Sequence, residues 1–436
     1  MLFHCHDLGR HLGCYGVSTV DTPNIDRFAA EGVIFRNSFC VAPQCSPSRA
    51  AMFTGRYPHS NGVMGLTHDG FGWEINSDET HLAQCLRSAG YHTAAFGIIH
   101  ETRDPRRWGY QVVDQETVTA REVCDRMIRH LEQRAAERRT PFFVSVGCEE
   151  PHRMPGPGEH HYMGFLGDHV NPDSRHGVHI PRYLSDDEGT RAELAELQGA
   201  VTHLDAEFGR LLQALDRLEL TSGTLVVFTT DHGVAMPRAK CSCYDPGLEI
   251  ALVLRLPSRA GWNGGGAVSE LISNVDITPT LFELAEAPAP QTVQGNSWAA
   301  LLDGRSYTPR EHIFAELTYH DYYDPMRAVR THHYKLVAFF SEAPSFMSPT
   351  QSWKPRSSPA HPSEPPLAYH APVELYDLQN DPAEQRNLAS DPEYEEVRRA
   401  LGKTLRSHLE DTADPILHGA VTPPAHHRAI DFLFER

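Results

Sequence analysis

The sequence predicts an α/β fold in which helices cover both faces of a largely parallel β-sheet. Short apolar segments typical of buried strands alternate with long amphipathic segments typical of helices. Two of the predicted strands are followed at once by polar clusters, His6-Asp7 and Asp231-His232. Such sheets bind ligands beyond the carboxyl ends of their strands, so these clusters mark the predicted site.

The first elements are defined by apolar runs and by helix-terminal residues. Residues 2–5 are an apolar run and predict the first strand. Thr22 is the predicted N-cap of the first helix, with Pro23 in its first turn and Gly32 at its end. Residues 33–35 are again apolar and predict the second strand.

The middle of the chain repeats this alternation. Residues 81–89 predict a helix that ends before Gly90, and residues 93–96 predict a strand. Residues 117–139 carry the clearest amphipathic pattern and predict a long helix. Pro141 ends it and leads into the apolar strand 142–146.

A second long helix is predicted over residues 187–218, and it is followed by apolar strands at 224–228 and 252–254. The repeated order of strand and helix indicates parallel strands joined by helical crossovers. We therefore expect helices on both faces of the sheet.

The composition and the pattern of predicted elements change near residue 325. Residues 334–340 and 374–378 predict strands, residues 394–409 predict a helix, and residues 341–372 are rich in proline and serine. The resulting domain prediction is a catalytic domain over 1–325 and a smaller C-terminal α+β subdomain over 326–436, with an insertion at about 341–372.

The composition excludes some functions. A chain of 436 residues with 40% apolar and 22% charged residues is typical of a globular protein with a large core. Its formal net charge of −18 argues against the broad positive surface that nucleic-acid binding requires, although local cations can still bind a small anion. No segment approaches the roughly 18 consecutive apolar residues that span a bilayer. We expect no nucleic-acid partner and no membrane span.

The nine cysteines form an odd, scattered set without a C-x-x-C pair. Free, mostly buried thiols in a reducing compartment explain them most simply. No basic segment followed by an apolar one precedes the first strand, so we expect a cytoplasmic protein. Because Met1 runs directly into that strand, an upstream start and an exported form stay open.

Cys45 begins the pattern Cys-x-Pro-x-Arg, which ends at Arg49 and is followed by small and apolar residues up to Gly55. A cysteine close to an arginine is either a nucleophile of lowered pKa or a structural residue at the start of a helix. The residue types alone leave both interpretations open.

The pattern as a whole is more specific. Residues 43–55 resemble the sulfatase signature, in which a formylglycine-generating enzyme oxidises the cysteine to formylglycine. Further segments look like sulfatase landmarks in the family's order; they are residues 22–26, 31–33, 230–233, 276–280, 375–378, 381–382 and 387–388. Residues 62–66, 151–153 and the loop 231–244 resemble most closely heparan N-sulfatase (sulfamidase)-like members. The resemblance implies an alkaline-phosphatase-like sandwich with a smaller C-terminal subdomain.

The resemblance also implies a divalent metal held by Asp7, Asp231, His232 and an oxygen of the modified Cys45. Sulfatases usually carry an aspartate where this chain has His6, which is either an additional ligand or a hydrogen-bonded structural residue. Calcium is the family default, while an imidazole ligand would favour manganese or zinc.

Four further residues receive roles from the resemblance. Arg49 would hold the formylglycine and balance charge around the metal, and Lys240 would contact the sulfate. His152 would protonate the leaving group, and His100 would take a proton from a formylglycine hydroxyl. In this mechanism one hydroxyl of the hydrated aldehyde attacks sulfur and displaces the leaving group. Loss of a proton from the second hydroxyl then re-forms the aldehyde and breaks the bond to the sulfate, which leaves.

Ile98 departs from the family pattern, which usually has a lysine directly after the preceding glycine. The lost cation would weaken charge compensation at the sulfate unless another group replaces it. Arg153, Arg103 and the altered metal site are the three candidates.

The function predicted from these residues is hydrolysis of a sulfate ester or sulfamate of a sugar, with a sulfated small molecule or oligosaccharide as substrate. Two alternatives stay open: a phosphodiesterase or phosphonate monoester hydrolase of the same superfold, and an inactive protein that binds sulfated glycans. A hydrolase that uses unmodified Cys45 is a weaker third.

Overall fold

The computed structural model of the protein describes residues 1–68, 70–135, 140–155, 163–165, 169–342, 356–360 and 369–434. Its strands are β1 (Leu2–Cys5), β2 (Val33–Phe39), β3 (His92–Gly97), β4 (Val112–Asp114), β5 (Phe142–Gly147), β6 (Met154–Pro155), β7 (Met163–Gly164), β8 (Val226–Thr230), β9 (Leu252–Arg255), β10 (Gly266–Ser273), β11 (Ile313–Tyr319), β12 (Tyr323–Arg330), β13 (Tyr334–Phe339) and β14 (Val373–Asp377). Its helices are α1 (Pro23–Glu31), α2 (Cys45–Thr54), α3 (Pro58–Asn61), α4 (Leu82–Ser88), α5 (Ala120–Ala135), α6 (Glu188–Arg217), α7 (Asp245–Leu248), α8 (Ile277–Leu284), α9 (Ala299–Leu302), α10 (Glu395–Asp411) and α11 (Pro424–Leu433).

Within these residues the large sheet has eight strands in the order β10-β2-β9-β8-β1-β5-β3-β4. The pairs of β1 with β5 and β8, of β3 with β4 and β5, and of β10 with β2 are parallel. Of the eight strands described in this sheet, only β9 runs antiparallel, to β2 and to β8. The predicted, largely parallel sheet is therefore confirmed. The direction of β9 was not foreseeable, because an apolar run of this length has the same pattern in either direction.

Helices cover both faces of this sheet, as predicted. Side chains of α1, α5 and α6 form one core with one face, and those of α2, α4, α8 and α9 form a second core with the other. Phe3 belongs to the first core and its neighbour Leu2 to the second, because successive side chains of a strand point to opposite faces.

Two predicted helices differ from the structure in detail. The helix expected at 117–139 begins at Ala120 and is described as far as Ala135; residues 136–139 lie outside the described residues. Thr22 precedes α1 as expected but does not cap it through its hydroxyl. That hydroxyl donates to Asp26 Oδ1 at 3.0 Å and accepts the backbone N–H of Gly13, also at 3.0 Å. It therefore ties the preceding loop to the helix.

A second, antiparallel sheet is formed by β11, β12, β13 and β14, and α10 packs against it. This sheet begins at Ile313, and the predicted boundary between residues 325 and 326 falls inside β12. Most of the proline- and serine-rich insertion at about 341–372 lies outside the described residues. Among the helices that are described, none is both long and apolar enough to cross a membrane.

Phe208 of α6 joins the first core to the sheet. Its ring centroid lies 5.0 Å from that of Phe3, 5.1 Å from that of Phe228 and 5.2 Å from that of Phe28, and the side chain is fully buried. Close aromatic packing of this kind leaves a large cavity when the ring is removed.

We therefore expect Phe208→Ala to lower the free energy of unfolding by about 3–5 kcal/mol, measured by urea denaturation. Phe432→Ala is the matched control, because this ring is 84% exposed on α11 and its loss should change stability by less than about 0.5 kcal/mol. Equal losses in the two variants would contradict this account of the core.

Candidate active site

The site lies at the carboxyl ends of the neighbouring parallel strands β1 and β8. His6 and Asp7 directly follow β1, and Asp231 and His232 directly follow β8. Asp7 has a φ of 53°, so the chain turns sharply as it leaves the strand. The backbone N–H of Asp7 donates to Asp231 Oδ1 at 3.0 Å, which joins the two clusters. Cys45, the first residue of α2, completes the group.

The arrangement around His232 fits a metal ion. Its Nδ1 lies 2.9 Å from the carbonyl oxygen of Gly233, which can only accept, so Nδ1 carries the proton. The lone pair of Nε2 then lies 3.2 Å from Asp7 Oδ1 and 3.4 Å from Cys45 Sγ. An imidazole lone pair and a carboxylate oxygen at this separation are placed to bind the same cation.

One ligand atom from each of Asp7, Cys45, Asp231 and His232 lies within 4.8 Å of all the others. Oxygen and nitrogen donors that converge from separate strands are typical of divalent-metal sites. These residues fit the metal that the sequence predicted.

His6 lies beside this set and is buried. Its Nδ1 is 2.9 Å from Asp231 Oδ2, and its Nε2 has no hydrogen-bond partner among the described residues. A second group of donors that lie within 4.8 Å of one another contains His6, Asp7, Cys45 and His152. Burial, followed by the charge of Arg49, lowers the pKa of His6 to about 4, so the ring is neutral. His6 therefore lies at ligand distance with a lone pair available.

Arg49 is fully buried and holds the Asp231 carboxylate. Its Nε donates to Asp231 Oδ2 at 3.2 Å, and its Nη2 donates to the backbone oxygen of Cys5 at 3.1 Å. Its Nη1 donates to His4 Nδ1, so the proton of the neutral His4 ring is on Nε2, which donates to Ser145 Oγ at 2.8 Å.

His4 was not identified from the sequence as a residue of the site. The available signal was a polar residue inside an otherwise apolar strand, since such a residue needs a buried partner. The partner is Arg49, which lies 45 residues away in the chain.

Lys240 reaches the same site from the loop after β8. Its Nζ donates to both carboxylate oxygens of Asp7, at 2.9 and 3.0 Å, and lies 3.4 Å from His152 Nε2. Burial alone would lower the pKa of Lys240, but the Asp7 carboxylate outweighs it and holds the pKa above its usual range. Lys240 is therefore a fixed positive charge at the floor of the site.

His152 follows β5 and turns its Nε2 toward Lys240. Its Nδ1 donates to the backbone oxygen of Arg153 at 2.7 Å, which leaves a lone pair on Nε2. Burial lowers the pKa of His152 to about 3, with Asp7 acting in the opposite direction and Lys240 in the same one. The ring is neutral in the free protein, and a bound anion would favour its protonated form.

Two arginines were candidates to replace the lysine that is missing at Ile98. Arg153 forms an ion pair with Glu193 at 2.8 Å, and Arg103 forms one with Glu74 at 3.6 Å. Neither arginine lines the cleft that contains Ile98. Of the three replacements considered for the missing lysine, the two arginines are therefore used elsewhere.

A histidine that sequence reasoning overlooked lies near this position. His68 Nε2 contacts His100 Nε2, and the two ring centroids are 4.3 Å apart. The ring of His100 lies 5.4 Å from that of His6, so the imidazoles form a continuous row. His68 lies 13 residues after Gly55, the last residue of the signature, and nothing in its neighbours distinguished it from an ordinary loop histidine.

These side chains open into a cleft of about 520 Å³. Its lining residues are His6, Cys45, Leu66, His68, Phe71, Gly97, Ile98, Ile99, His100, Gln115, Val118, Glu149, His152, Lys240, His320 and Asp321. The cleft is large enough for a small molecule such as a sugar, and polar groups converge at its base.

Comparison with known proteins agrees with this geometry. The model of the sulfatase family matches residues 6–287, that of the N-sulphoglucosamine sulphohydrolase C-terminal region matches 238–348, and that of the C-terminal region of aryl-sulfatase matches 309–418. Human N-sulphoglucosamine sulphohydrolase is 29% identical over 95% of this chain and 90% of its own. Human arylsulfatase A is 30% identical over 89% of this chain and 82% of its own.

Solved structures share the fold. One in complex with its substrate D-glucosamine-2-N,6-O-disulfate has a TM-score of 0.70 at 19% identity, covering 95% of this chain and 98% of that one. The phosphonate monoester hydrolase of Silicibacter pomeroyi has a TM-score of 0.69 at 18% identity, covering 95% of each chain.

The chain forms an α/β sandwich of alkaline-phosphatase type in which a cysteine, two carboxylates and a lysine meet at the carboxyl ends of the strands. Together with the family and relative matches, this site identifies a hydrolase of sulfuric esters. The chain belongs to the sulfatase family.

The thiol of unmodified Cys45 is a poor nucleophile in this site. Burial raises its pKa to about 12, so in the metal-free chain almost no thiolate is present near neutral pH. We expect iodoacetamide to alkylate Cys45 at pH 7.5 at least about a hundredfold more slowly in the native chain than in urea.

The rate in the native chain should still be rising with pH at pH 10, because the raised pKa lies above that range. Mass spectrometry of the labelled peptide gives both rates, and the urea-unfolded chain serves as the control. Rapid native labelling that levels off below pH 9 would instead indicate an activated thiol.

Proposed function

We propose that the protein hydrolyses a sulfate ester or sulfamate of a sugar through a formylglycine formed from Cys45 and a bound divalent metal. The observation that carries this proposal is the position of Cys45 Sγ, 3.4 Å from His232 Nε2 and within the group that also contains Asp7 and Asp231. A nucleophile made from residue 45 would act directly beside the metal ligands.

A divalent metal and a formylglycine would supply chemistry that the unmodified side chains lack. A divalent cation would polarise a sulfate oxygen and a hydroxyl at residue 45. A hydrated formylglycine offers one hydroxyl as nucleophile and a second whose deprotonation allows sulfate to leave. Calcium is the family default, and the nitrogen donors of His6 and His232 favour manganese or zinc.

The chain's own residues position these groups and move protons. Arg49 holds Asp231, and Lys240 holds Asp7, so both carboxylates keep a fixed direction. Lys240 Nζ also lies beside His152, so a sulfate bound against both side chains would have its charge stabilised by the lysine. This arrangement supports Lys240 as the sulfate-binding cation.

His152 and His100 are the proton carriers in this proposal. His152 Nε2 faces the cleft, where an anionic substrate would raise its pKa and let it protonate the leaving oxygen or nitrogen. His100 Nδ1 is buried and has no hydrogen-bond partner among the described residues, so it can accept a proton from residue 45. His68, in contact with its other nitrogen, fixes the orientation of the ring.

An amino sugar is the substrate class that we favour. The human relative named N-sulphoglucosamine sulphohydrolase and the structure bound to D-glucosamine-2-N,6-O-disulfate support it. In the cleft, Asp321 and Gln115 offer groups that can hydrogen-bond to sugar hydroxyls or amines, and Phe71 offers an apolar face.

The first test is the chemical state of residue 45. The chain is expressed with a formylglycine-generating enzyme, alkylated and digested, and the tryptic peptide 37–49 is analysed by mass spectrometry. This peptide also contains Cys40, which is an internal control for alkylation. We expect an aldehyde at residue 45 and a carbamidomethyl group on Cys40. Full alkylation of both cysteines, in cells that modify a control sulfatase, would reject the formylglycine mechanism.

The second candidate function is hydrolysis of a phosphodiester or phosphonate monoester. It is favoured by the fold shared with a phosphonate monoester hydrolase. It is also favoured by two departures from the usual sulfatase pattern: His6 replaces an aspartate, and Ile98 replaces a lysine. Comparing kcat/KM for an aryl sulfate, an aryl phosphodiester and glucosamine N-sulfate separates the two functions. We expect the sulfated substrates to be preferred, and Cys45→Ala to reduce all turnover to background.

If His152 protonates the leaving group, its loss should matter most for substrates with a poor leaving group. His152→Gln should lower kcat/KM by about 10²–10⁴ for an alkyl or sugar sulfate, whose leaving group needs a proton. It should have much less effect on 4-nitrophenyl sulfate, whose leaving group departs without one. His176→Gln is the matched control, since that loop histidine has 55% of its side chain exposed. An equal loss on every substrate would show that His152 only supports the structure.

A further inference from the structure

A second group of metal-binding side chains lies outside the cleft. It consists of Glu150, His169 and His203, none of which lines the cleft. Glu150 lies on the segment that follows β5, His169 lies on the chain that precedes α6, and His203 is in α6 itself. Three segments distant in sequence thus bring two imidazoles to one carboxylate.

The distances suit a small divalent cation. Glu150 Oε2 accepts the backbone N–H of Ala120 at 2.7 Å, which directs Oε1 toward the histidines. His169 Nε2 is hydrogen-bonded to this oxygen at 2.7 Å, and His203 Nε2 lies 3.8 Å from it. Ligands about 2.0–2.1 Å from a tetrahedral zinc ion are about 3.4 Å apart, so an ion requires His169 to give up this hydrogen bond and both rings to shift by less than about 1 Å.

His203 provides an independent observation. Its Nε2 is buried and has no hydrogen-bond partner among the described residues, although it faces Glu150. The separation of 3.8 Å is too long for a hydrogen bond. A buried imidazole nitrogen that faces a carboxylate without bonding to it is the arrangement expected when an ion binds to both groups. Burial also lowers the pKa of His203, which favours the neutral ring that metals bind.

We propose that Glu150, His169 and His203 form a second divalent-metal site, suited to zinc, with an open fourth position for water. The nitrogen and oxygen donors match the set that zinc prefers when one coordination position is left to solvent. The side chain of His169 is 33% exposed, so an ion can enter from that side.

The proposed metal site would hold the loop that carries His152 in place. Glu150 lies two residues before His152, and Glu149 lines the cleft beside it. A metal on Glu150 would fasten this loop to α6 through His203. The ion would stabilise the position of His152 without taking part in the reaction, and this proposal does not depend on the proposed substrate.

Zinc stoichiometry tests the site. The full chain is dialysed against Zn²⁺ and the bound metal is counted, alongside Glu150→Gln, His169→Gln and the control His176→Gln. Glu150→Gln keeps an oxygen that can accept from Ala120, and His169 is at the surface, so both variants should fold. Thermal melting followed by circular dichroism confirms folding.

We expect the first two variants each to bind one zinc fewer than the parent and His176→Gln to bind as many. Asp7→Asn should leave the Glu150-dependent zinc in place, which separates it from the proposed catalytic metal. Zinc should also slow hydrogen exchange at residues 148–152 in the parent but not in His169→Gln. Unchanged stoichiometry in both cluster variants would overturn the proposal and leave an ordinary hydrogen bond between His169 and Glu150, without affecting the proposed function.

Discussion

The site depends on burying two carboxylates side by side. Asp7 and Asp231 are completely shielded from solvent, and a charged carboxylate is stable there only when it is paired and hydrogen-bonded. Lys240 neutralises the first and Arg49 the second. The protein part of the site is therefore close to neutral, and a divalent cation would make it positive. In a chain of net charge −18, this local balance decides whether an anion can bind.

The order of strands explains how so many functional groups reach one place. The neighbours β8, β1, β5 and β3 are parallel, so their carboxyl ends lie along the same edge. Asp231 follows the first of these strands, Asp7 the second, His152 lies beyond the third and Ile98 follows the fourth. Helix α2, whose side chains belong to the second core, begins with Cys45 and places it at this edge. Parallel topology thus gathers residues that are more than 200 positions apart in the chain.

Much of the fold was predictable because strong periodicity and terminal residues define long elements. The helix α6 and the buried strand β1 are examples, since apolar spacing alone locates them. The direction of β9 was not predictable, because strand pairing depends on tertiary contacts. The same holds for the start of the second sheet at Ile313, which precedes the change in composition.

For the site, the sequence pointed to residues with distinctive neighbours, and the structure brings them together around Cys45 and Asp7. Their chemical roles remain predictions. His4 and His68 were missed because their importance arises from partners that lie 45 and 32 residues away. Arg153 was considered for the cleft but pairs with Glu193, a contact that no local pattern reveals.

The burial of α2 has a consequence for the timing of biosynthesis. All ten residues from Cys45 to Thr54 are buried, so an enzyme that modifies Cys45 by binding the surrounding backbone cannot reach it in the native protein. Under the proposed formylglycine mechanism, oxidation of Cys45 would then compete with the folding of the nascent chain. Faster folding would lower the active fraction, even though it would raise the yield of native protein.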